Sequence, residues 1–242
     1  MKFIKQSIRF SKRSGMAEDD NPGKKKKAKK SINKINKRHG PLLPDSIRCI
    51  ICGPSNCGKT DLMLKLLVHP KGLRFRNCYV YSKSLNQKKY QFLQDIFNDI
   101  DDMEAEFISD HEDMLEPGAI KPDSVVVFDD VTTEKQDIIR SYFSMGRHSG
   151  ADSFYLAQSY GRIPKHLIRD NANLLMIFKQ DDLNLRRVYE DHVSSDMTLD
   201  EFRKMCRECW KTNKYSYLVI DTNSPRGGGR YRRGLDEFIQ PE

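Results

Sequence analysis

An eight-residue segment carries the residue types that bind a phosphate group. It fits the pattern G-x-x-x-x-G-K-[ST] at every fixed position and reads Gly53-Pro54-Ser55-Asn56-Cys57-Gly58-Lys59-Thr60. Glycines let a backbone wrap around an anion without side-chain clashes, and the successive N–H groups of such a loop point at the phosphate. In this pattern the lysine reaches the β- and γ-phosphates of a nucleoside triphosphate, and the hydroxyl of the last residue ligates Mg²⁺. We therefore expect residues 53–60 to bind the nucleotide, with Lys59 as a catalytic residue and Thr60 as a metal ligand.

Two adjacent carboxylates, Asp129 and Asp130, follow the apolar run at residues 125–128. A buried strand of this kind delivers its last side chains to the carboxyl edge of a sheet, where ligands of open α/β sheets bind. We expect Asp129 to be a Mg²⁺ ligand and Asp130 to orient the attacking water. Taken alone, the pair also fits an ordinary start of a loop.

A polar side chain, Gln158, ends a third apolar run at residues 153–157. At the same edge of the sheet, its amide could hydrogen-bond the γ-phosphate or the water that attacks it. We therefore count Gln158 among the catalytic candidates; the alternative is a surface amide at the end of a strand.

These residues require a scaffold of short apolar strands that alternate with helices, and the pattern of the chain predicts one. Such alternation is typical of an α/β fold with a central, mainly parallel sheet flanked by helices. Thr133 followed by Gln136 predicts a capping box at the start of one helix. Strands are expected at residues 47–52, 78–82, 124–129, 153–157, 173–179 and 215–220, and helices near 59–68, 87–99, 134–145, 164–170, 182–192 and 198–210.

The positive charge of the chain is concentrated at its beginning. Residues 1–48 contain 15 Lys and Arg against 4 Asp and Glu, whereas residues 49–242 contain 27 against 30. Like charges repel, and so polar a segment has little apolar surface to bury. We expect a disordered basic tail at 1–45, a nucleotide-binding domain at 46–224, and a flexible Gly/Arg-rich tail at 225–242. The basic tail fits a solubilising segment, a nuclear-import signal or a nucleic-acid arm.

Several classes of protein are excluded on composition. No apolar run approaches the roughly 20 residues that span a bilayer, and no apolar core of a secretory signal follows the charged start. The six cysteines, without such a signal, do not indicate a disulfide scaffold. We therefore expect an intracellular protein that is not secreted and has no membrane partner. A mitochondrial presequence and a start at Met16 stay open.

Four segments follow one another along the chain: Gly53–Thr60, Val125–Asp130, the block Gly146-Arg147-His148-Ser149-Gly150 and the block Ala157-Gln158-Ser159. Their order resembles the FtsK–HerA superfamily of DNA-pumping ATPases. The stretch at 163–178 is similar to the poxvirus-type genome-packaging ATPases of large DNA viruses and of Polinton (Maverick) elements, and the resemblance covers roughly residues 45–220.

This resemblance implies a RecA-like P-loop core that works as a ring, a hexamer, with ATP and Mg²⁺ between subunits. By motif position Arg147 would act as a catalytic residue in the neighbour's site, with Arg162 and Arg169 as alternatives. The family usually has Glu after the Mg²⁺-binding Asp, where this chain has Asp130.

The implied activity is an ATP-hydrolysing motor that translocates double-stranded DNA into a viral capsid. The implied partners are double-stranded DNA, copies of the chain itself and capsid proteins. The implied location is the nucleus or the viral assembly site of an infected or element-bearing cell, and association with the virion is consistent with it.

Two other functions fit the same motifs: an NTP-dependent switch or assembly factor recruited to nucleic acid by the basic tail, and a small-molecule P-loop kinase. No motif that reads the base is evident, so ATP and GTP remain alternatives.

Overall fold

The computed structural model describes residues 1–6 and 37–240, which build one ten-stranded sheet with five α-helices. The helices are α1 (Lys59–Val68), α2 (Lys88–Asn98), α3 (Asp137–Met145), α4 (Asp182–His192) and α5 (Leu199–Trp210). The strands are β1 (Lys2–Lys5), β2 (Arg48–Cys52), β3 (Asn77–Ser82), β4 (Glu104–Ile108), β5 (Ser124–Asp129), β6 (Ala151–Ala157), β7 (Leu174–Phe178), β8 (Tyr217–Asp221), β9 (Tyr231–Arg233) and β10 (Glu237–Gln240).

Six strands form a parallel centre in the order β7-β2-β6-β5-β3-β4. Every residue of β3, β5, β6 and β7 is buried, and the two faces of the sheet pack against separate apolar clusters. Strands buried on both faces read as continuous apolar runs, which is why the sequence pattern located them. The predicted α/β fold with a mainly parallel sheet is confirmed, and the carboxyl ends of β2, β5 and β6 lie at one edge.

The other four strands form an antiparallel extension, β8-β9-β10-β1, beside β7. The prediction of a flexible tail at 225–242 is therefore wrong for residues 231–240. The glycine run suggested disorder, but Gly229 adopts a φ of 101° and turns the chain back into the sheet. Tyr231, Leu235 and Ile239 are then buried, and this burial stabilises the two strands.

The prediction of a disordered tail at 1–45 is also wrong for the two parts of this range that the structure describes, residues 1–6 and 37–45. Residues 2–5 form β1, which pairs with β10. Near position 40, Leu42 and Leu43 are buried, and His39 Nε2 lies 2.9 Å from the fully buried carboxylate of Asp152. Asp152 also accepts a 2.7 Å hydrogen bond from the Ile47 amide, so this segment is held by polar as well as apolar contacts. The lysine-rich run at 24–30 lies outside the described residues.

Two helix predictions differ from the structure. The helix expected from 134 begins at Asp137, because the Gln136 amide bonds the carbonyl oxygens of Val131 and Glu134 at 2.8 Å instead of closing a capping box with Thr133. The helix expected at 164–170 is replaced by a single 3₁₀ turn at Arg169–Asn171. Within the described ranges, no helix is long and apolar enough to cross a membrane.

Acidic conditions are expected to destabilise the fold through His192, at the end of α4. Burial lowers the pKa of His192 to about 4, and its Nε2 lies 2.8 Å from the Tyr160 hydroxyl. The unfolded chain then binds the proton more tightly than the folded chain. The contribution of His192 is therefore complete above pH 6.5, and about 3 kcal/mol of it is lost as the pH falls towards 4.

Urea unfolding of the wild type and of His192→Gln at pH 7 and pH 5 measures this loss. The variant, whose amide does not titrate in this range, should show a shallower fall in the free energy of unfolding between the two pH values. Identical falls in both proteins would contradict the assignment.

Candidate functional site

The phosphate-binding pattern forms a tight loop between β2 and α1. Asn56 and Gly58 adopt left-handed backbone conformations, with φ values of 60° and 100°. A Cβ atom on Gly53 would lie 2.5 Å from Phe178 Cβ and 2.7 Å from Cys57 Sγ, so only glycine fits there. The loop leads into the first turn of α1, where the free N–H groups and the helix dipole favour an anion.

Lys59, the first residue of α1, extends back across this loop. Its Nζ donates hydrogen bonds to the carbonyl oxygens of Gly53 at 2.7 Å and Pro54 at 3.0 Å. The ammonium group is thus held beside the backbone that would surround a phosphate, where its charge can act on the phosphate oxygens.

Asp129, the last residue of β5, lies opposite the phosphate loop. The Thr60 hydroxyl donates to Asp129 Oδ2 at 3.3 Å, and the Tyr90 hydroxyl from α2 donates a short hydrogen bond to the same oxygen. Asp129 is buried, and this burial raises its pKa, while the hydrogen bond from Tyr90 and the charge of Lys59 act in the opposite direction. A buried carboxylate oxygen beside a hydroxyl oxygen is a donor set that suits Mg²⁺, which takes one or two protein oxygens together with substrate phosphates.

Eight of the predicted site residues line one cavity of about 450 Å³. Residues of the phosphate loop line one side of this cavity, and the ends of β5 and β6 line the other side. Asp130 and Gln158 therefore face the same space as Lys59. Among its lining residues are Ser55, Asn56, Gly58, Lys59, Thr60, Asp129, Asp130 and Gln158.

Asp130 is exposed and has a left-handed φ of 59°. Asp and Asn adopt this conformation more readily than other residues with a Cβ, because their short polar side chains can hydrogen-bond locally. The backbone conformation at position 130 therefore gives a physical reason for Asp there, where the family that the sequence resembles usually has Glu.

Arg147 is the one predicted site residue at the other edge of the sheet. It lies in the turn before β6, whereas Gln158 follows β6, and a seven-residue strand spans roughly 23 Å at about 3.3 Å per residue. Of the two alternatives, Arg169 is engaged, with Nη1 2.9 Å from Asp191 Oδ2 and its guanidinium over the Tyr160 ring. Arg162 is exposed and follows β6 on the nucleotide side.

The residues of the cavity region that the sequence analysis missed include Tyr90, Lys89, Lys214 and Tyr215. Tyr90 and Lys89 come from α2 and the other two from the segment before β8. They lie 29 or more positions from the phosphate loop and form no motif with it, so only tertiary packing brings them to the site.

Tyr90→Phe is expected to weaken the metal site. The change removes one oxygen atom and its hydrogen bond to Asp129, and loss of a group that orients a metal ligand typically costs 10- to 100-fold in metal affinity. A Mg²⁺ titration of nucleotide hydrolysis should show a rise in the half-saturating Mg²⁺ concentration of roughly that size. Binding of nucleotide without metal should be unchanged, and an equal loss there would contradict this role.

No protein-family model matches the chain, and no curated protein sequence matches it. Solved structures of similar fold include the genome-packaging NTPase B204 from Sulfolobus turreted icosahedral virus 2. Its complex with sulfate gives a TM-score of 0.52 at 16% identity, over 74% of this chain and 92% of that chain. Its complex with AMPPCP gives a TM-score of 0.50 at 14% identity, over 74% of this chain and 93% of that chain. At such low identity the similarity shows the fold, and the chain accordingly has the α/β fold of P-loop NTPases.

Proposed function

We propose that this protein is an ATP-hydrolysing motor that moves double-stranded DNA, in the class that packages a viral genome into a capsid. The observation that carries the hydrolytic part is the cavity in which the phosphate loop faces Asp129, Asp130 and Gln158. The fold shared with a viral genome-packaging NTPase supports the DNA-moving part, as does the order of motifs.

The residues of the cavity divide between binding and chemistry. The loop amides of residues 53–60 and the Lys59 ammonium hold the phosphates, and Lys59 stabilises the negative charge that develops on the transferred group. Thr60 and Asp129 would hold Mg²⁺, which when bound supplies positive charge to the phosphate oxygens. Tyr90 orients Asp129 through its hydrogen bond.

Asp130 and Gln158 act on the nucleophile. Both side chains line the cavity beyond the phosphate loop, at the ends of neighbouring strands. A carboxylate accepts a hydrogen bond from water, and an amide both donates and accepts, so together they can orient a water molecule towards a phosphorus atom.

We further propose that the protein works as a ring in which Arg147 completes the site of a neighbouring subunit. Arg147 is exposed at the sheet edge opposite its own cavity, so it can reach a nucleotide only in another copy. A ring built by such head-to-tail contacts, with hexamer as the expected size, places the cavity of one subunit against the opposite edge of the next.

Double-stranded DNA would be bound through its phosphates. The excess of 15 Lys and Arg over 4 Asp and Glu in residues 1–48 supplies positive charge without a sequence-reading motif. Binding should then be independent of sequence and weaken as salt rises, because bound counterions are released from the DNA. The expected setting is the nucleus or viral assembly site of an infected cell, with capsid proteins as further partners.

Steady-state ATP hydrolysis with and without linear double-stranded DNA, at 50 and 200 mM salt, tests this function. DNA should stimulate hydrolysis at low salt and lose the effect at high salt, since each phosphate contact contributes to the salt dependence. Hydrolysis indifferent to DNA would favour a small-molecule kinase. Stimulation without directional movement along the duplex, measured by displacement of a triplex-forming third strand, would favour an NTP-dependent switch or assembly factor.

A further inference from the structure

A second, apolar cleft adjoins the phosphate cavity. It has a volume of about 1030 Å³ and lies between α1, α2 and the segment that precedes β8. Gly58, Asp61, Lys89 and Tyr215 line both spaces, so the cleft opens directly from the phosphate cavity. Its apolar lining includes Leu62, Leu64, Val68, Phe92, Leu93 and Leu235.

Tyr215 stands at the junction of the two spaces. β8 runs antiparallel to β7, with Tyr217 opposite Phe178, so the segment before β8 returns to the sheet edge that carries the phosphate loop. A Cβ atom on Gly58 would lie 3.2 Å from Tyr215 Cδ1, which places the ring against the last glycine of the loop. Tyr215 is nevertheless 54% exposed.

Tyr215 is more exposed than the other tyrosines that the structure describes. The protein buries most of its other tyrosines, and Tyr215 also has no ring contact with another aromatic residue within the described chain. The ring contact it does have is with Lys214, whose Nζ lies 4.9 Å from the ring centroid. Lys214 is itself exposed, and a lysine side chain is long and flexible, so a planar ligand can displace it from the face of the ring.

We propose that Tyr215 is the platform on which the nucleotide base stacks, with the apolar cleft receiving the base while the phosphate loop holds the phosphates. This inference rests on the proposed nucleotide-hydrolysing function and adds the subsite that the phosphate-binding motif does not supply. A base has a flat, apolar face that is stabilised by stacking on an aromatic ring, whereas the triphosphate needs the charged, polar cavity next to it.

Stacking does not distinguish one purine from another, because every base has a π-face. Tyr215 therefore contributes to the binding affinity for nucleotides in general, and its loss should weaken ATP and GTP binding equally. Removal of the ring is expected to leave the phosphate contacts in place, since Lys59 and the loop amides do not use it.

The test is titration calorimetry of the full chain with ATP, GTP and inorganic tripolyphosphate, which lacks a base. Tyr215→Ala should weaken ATP and GTP roughly 10- to 100-fold, in the range of base–aromatic stacking measured by alanine substitution, and leave tripolyphosphate unchanged. Tyr215→Phe, which keeps the ring, should bind ATP as the wild type does. The matched control is Leu183→Ala, which removes a large apolar side chain from a residue of α4 that is 61% exposed and lines neither the cleft nor the phosphate cavity.

The outcomes separate this inference from the function on which it rests. Unchanged ATP affinity in Tyr215→Ala, or an equal loss for ATP and tripolyphosphate, would overturn the stacking platform while the phosphate site stands. A wild type that binds neither ATP nor tripolyphosphate would overturn the proposed nucleotide function, and the platform with it. Thermal unfolding of each variant shows that a loss of affinity is not a loss of fold.

Discussion

Lys59→Ala is expected to abolish ATP hydrolysis. The Lys59 ammonium lies across the phosphate loop, bonded to the carbonyl oxygens of Gly53 and Pro54, and nothing in the sequence next to it can replace that charge. A preorganised donor aimed at developing phosphate charge typically contributes 10²- to 10³-fold to the rate, and loss of ground-state affinity adds to this. We therefore expect a fall in kcat/KM of roughly 10³-fold or more.

The matched control is Lys204→Ala, which removes one positive charge from an exposed position on α5 and should hydrolyse ATP like the wild type. Both variants need thermal unfolding curves, because Lys59 also bonds the loop backbone. A folded Lys59→Ala protein with wild-type turnover would remove the assignment of the phosphate loop as the catalytic site.

Arg147→Ala is expected to stop hydrolysis without weakening nucleotide binding. An arginine supplied to a phosphoryl-transfer site from a partner contributes about 10³- to 10⁵-fold to kcat, and it does so mainly in the transition state. Because Arg147 lies at the sheet edge opposite the cavity of its own chain, its loss leaves every described cavity contact of that chain intact. Calorimetry of ATP binding and steady-state hydrolysis measure the two effects separately.

Mixing Arg147→Ala with Asp130→Asn subunits tests whether the arginine acts between copies. Each variant alone should be inactive, but in a random 1:1 ring about a quarter of the head-to-tail interfaces combine an intact Asp130 with a neighbour's intact Arg147. Recovery of a comparable share of wild-type hydrolysis is expected. A mixture as inactive as its components would contradict a shared site built with Arg147, and the same pairing with Arg162→Ala, the exposed arginine at the nucleotide edge, then becomes the direct test of that alternative.

The sequence alone determined the parts of this protein that depend on neighbours in the chain. The pattern of residues 53–60 predicts a phosphate-binding loop, and such a loop needs its glycines, lysine and threonine at fixed spacings because it binds through consecutive backbone amides. The apolar run that ends in Asp129 is equally local, because a strand buried on both faces must be continuously apolar. Parallel strands with connecting helices then place their carboxyl ends at one edge, so the proximity of Asp129, Asp130 and Gln158 to the loop followed from the pattern.

The tertiary structure alone decided the contacts between residues far apart in the chain. The hydrogen bond from Tyr90 to Asp129 spans 39 positions, and the approach of Tyr215 to Gly58 spans more than 150. Local composition was misleading at the termini: residues 231–240 follow a glycine run, yet they are ordered by burial against the sheet, and β1 is ordered by pairing with β10. Composition reports the intrinsic cost of ordering a segment, whereas the surface that offsets this cost belongs to distant parts of the fold.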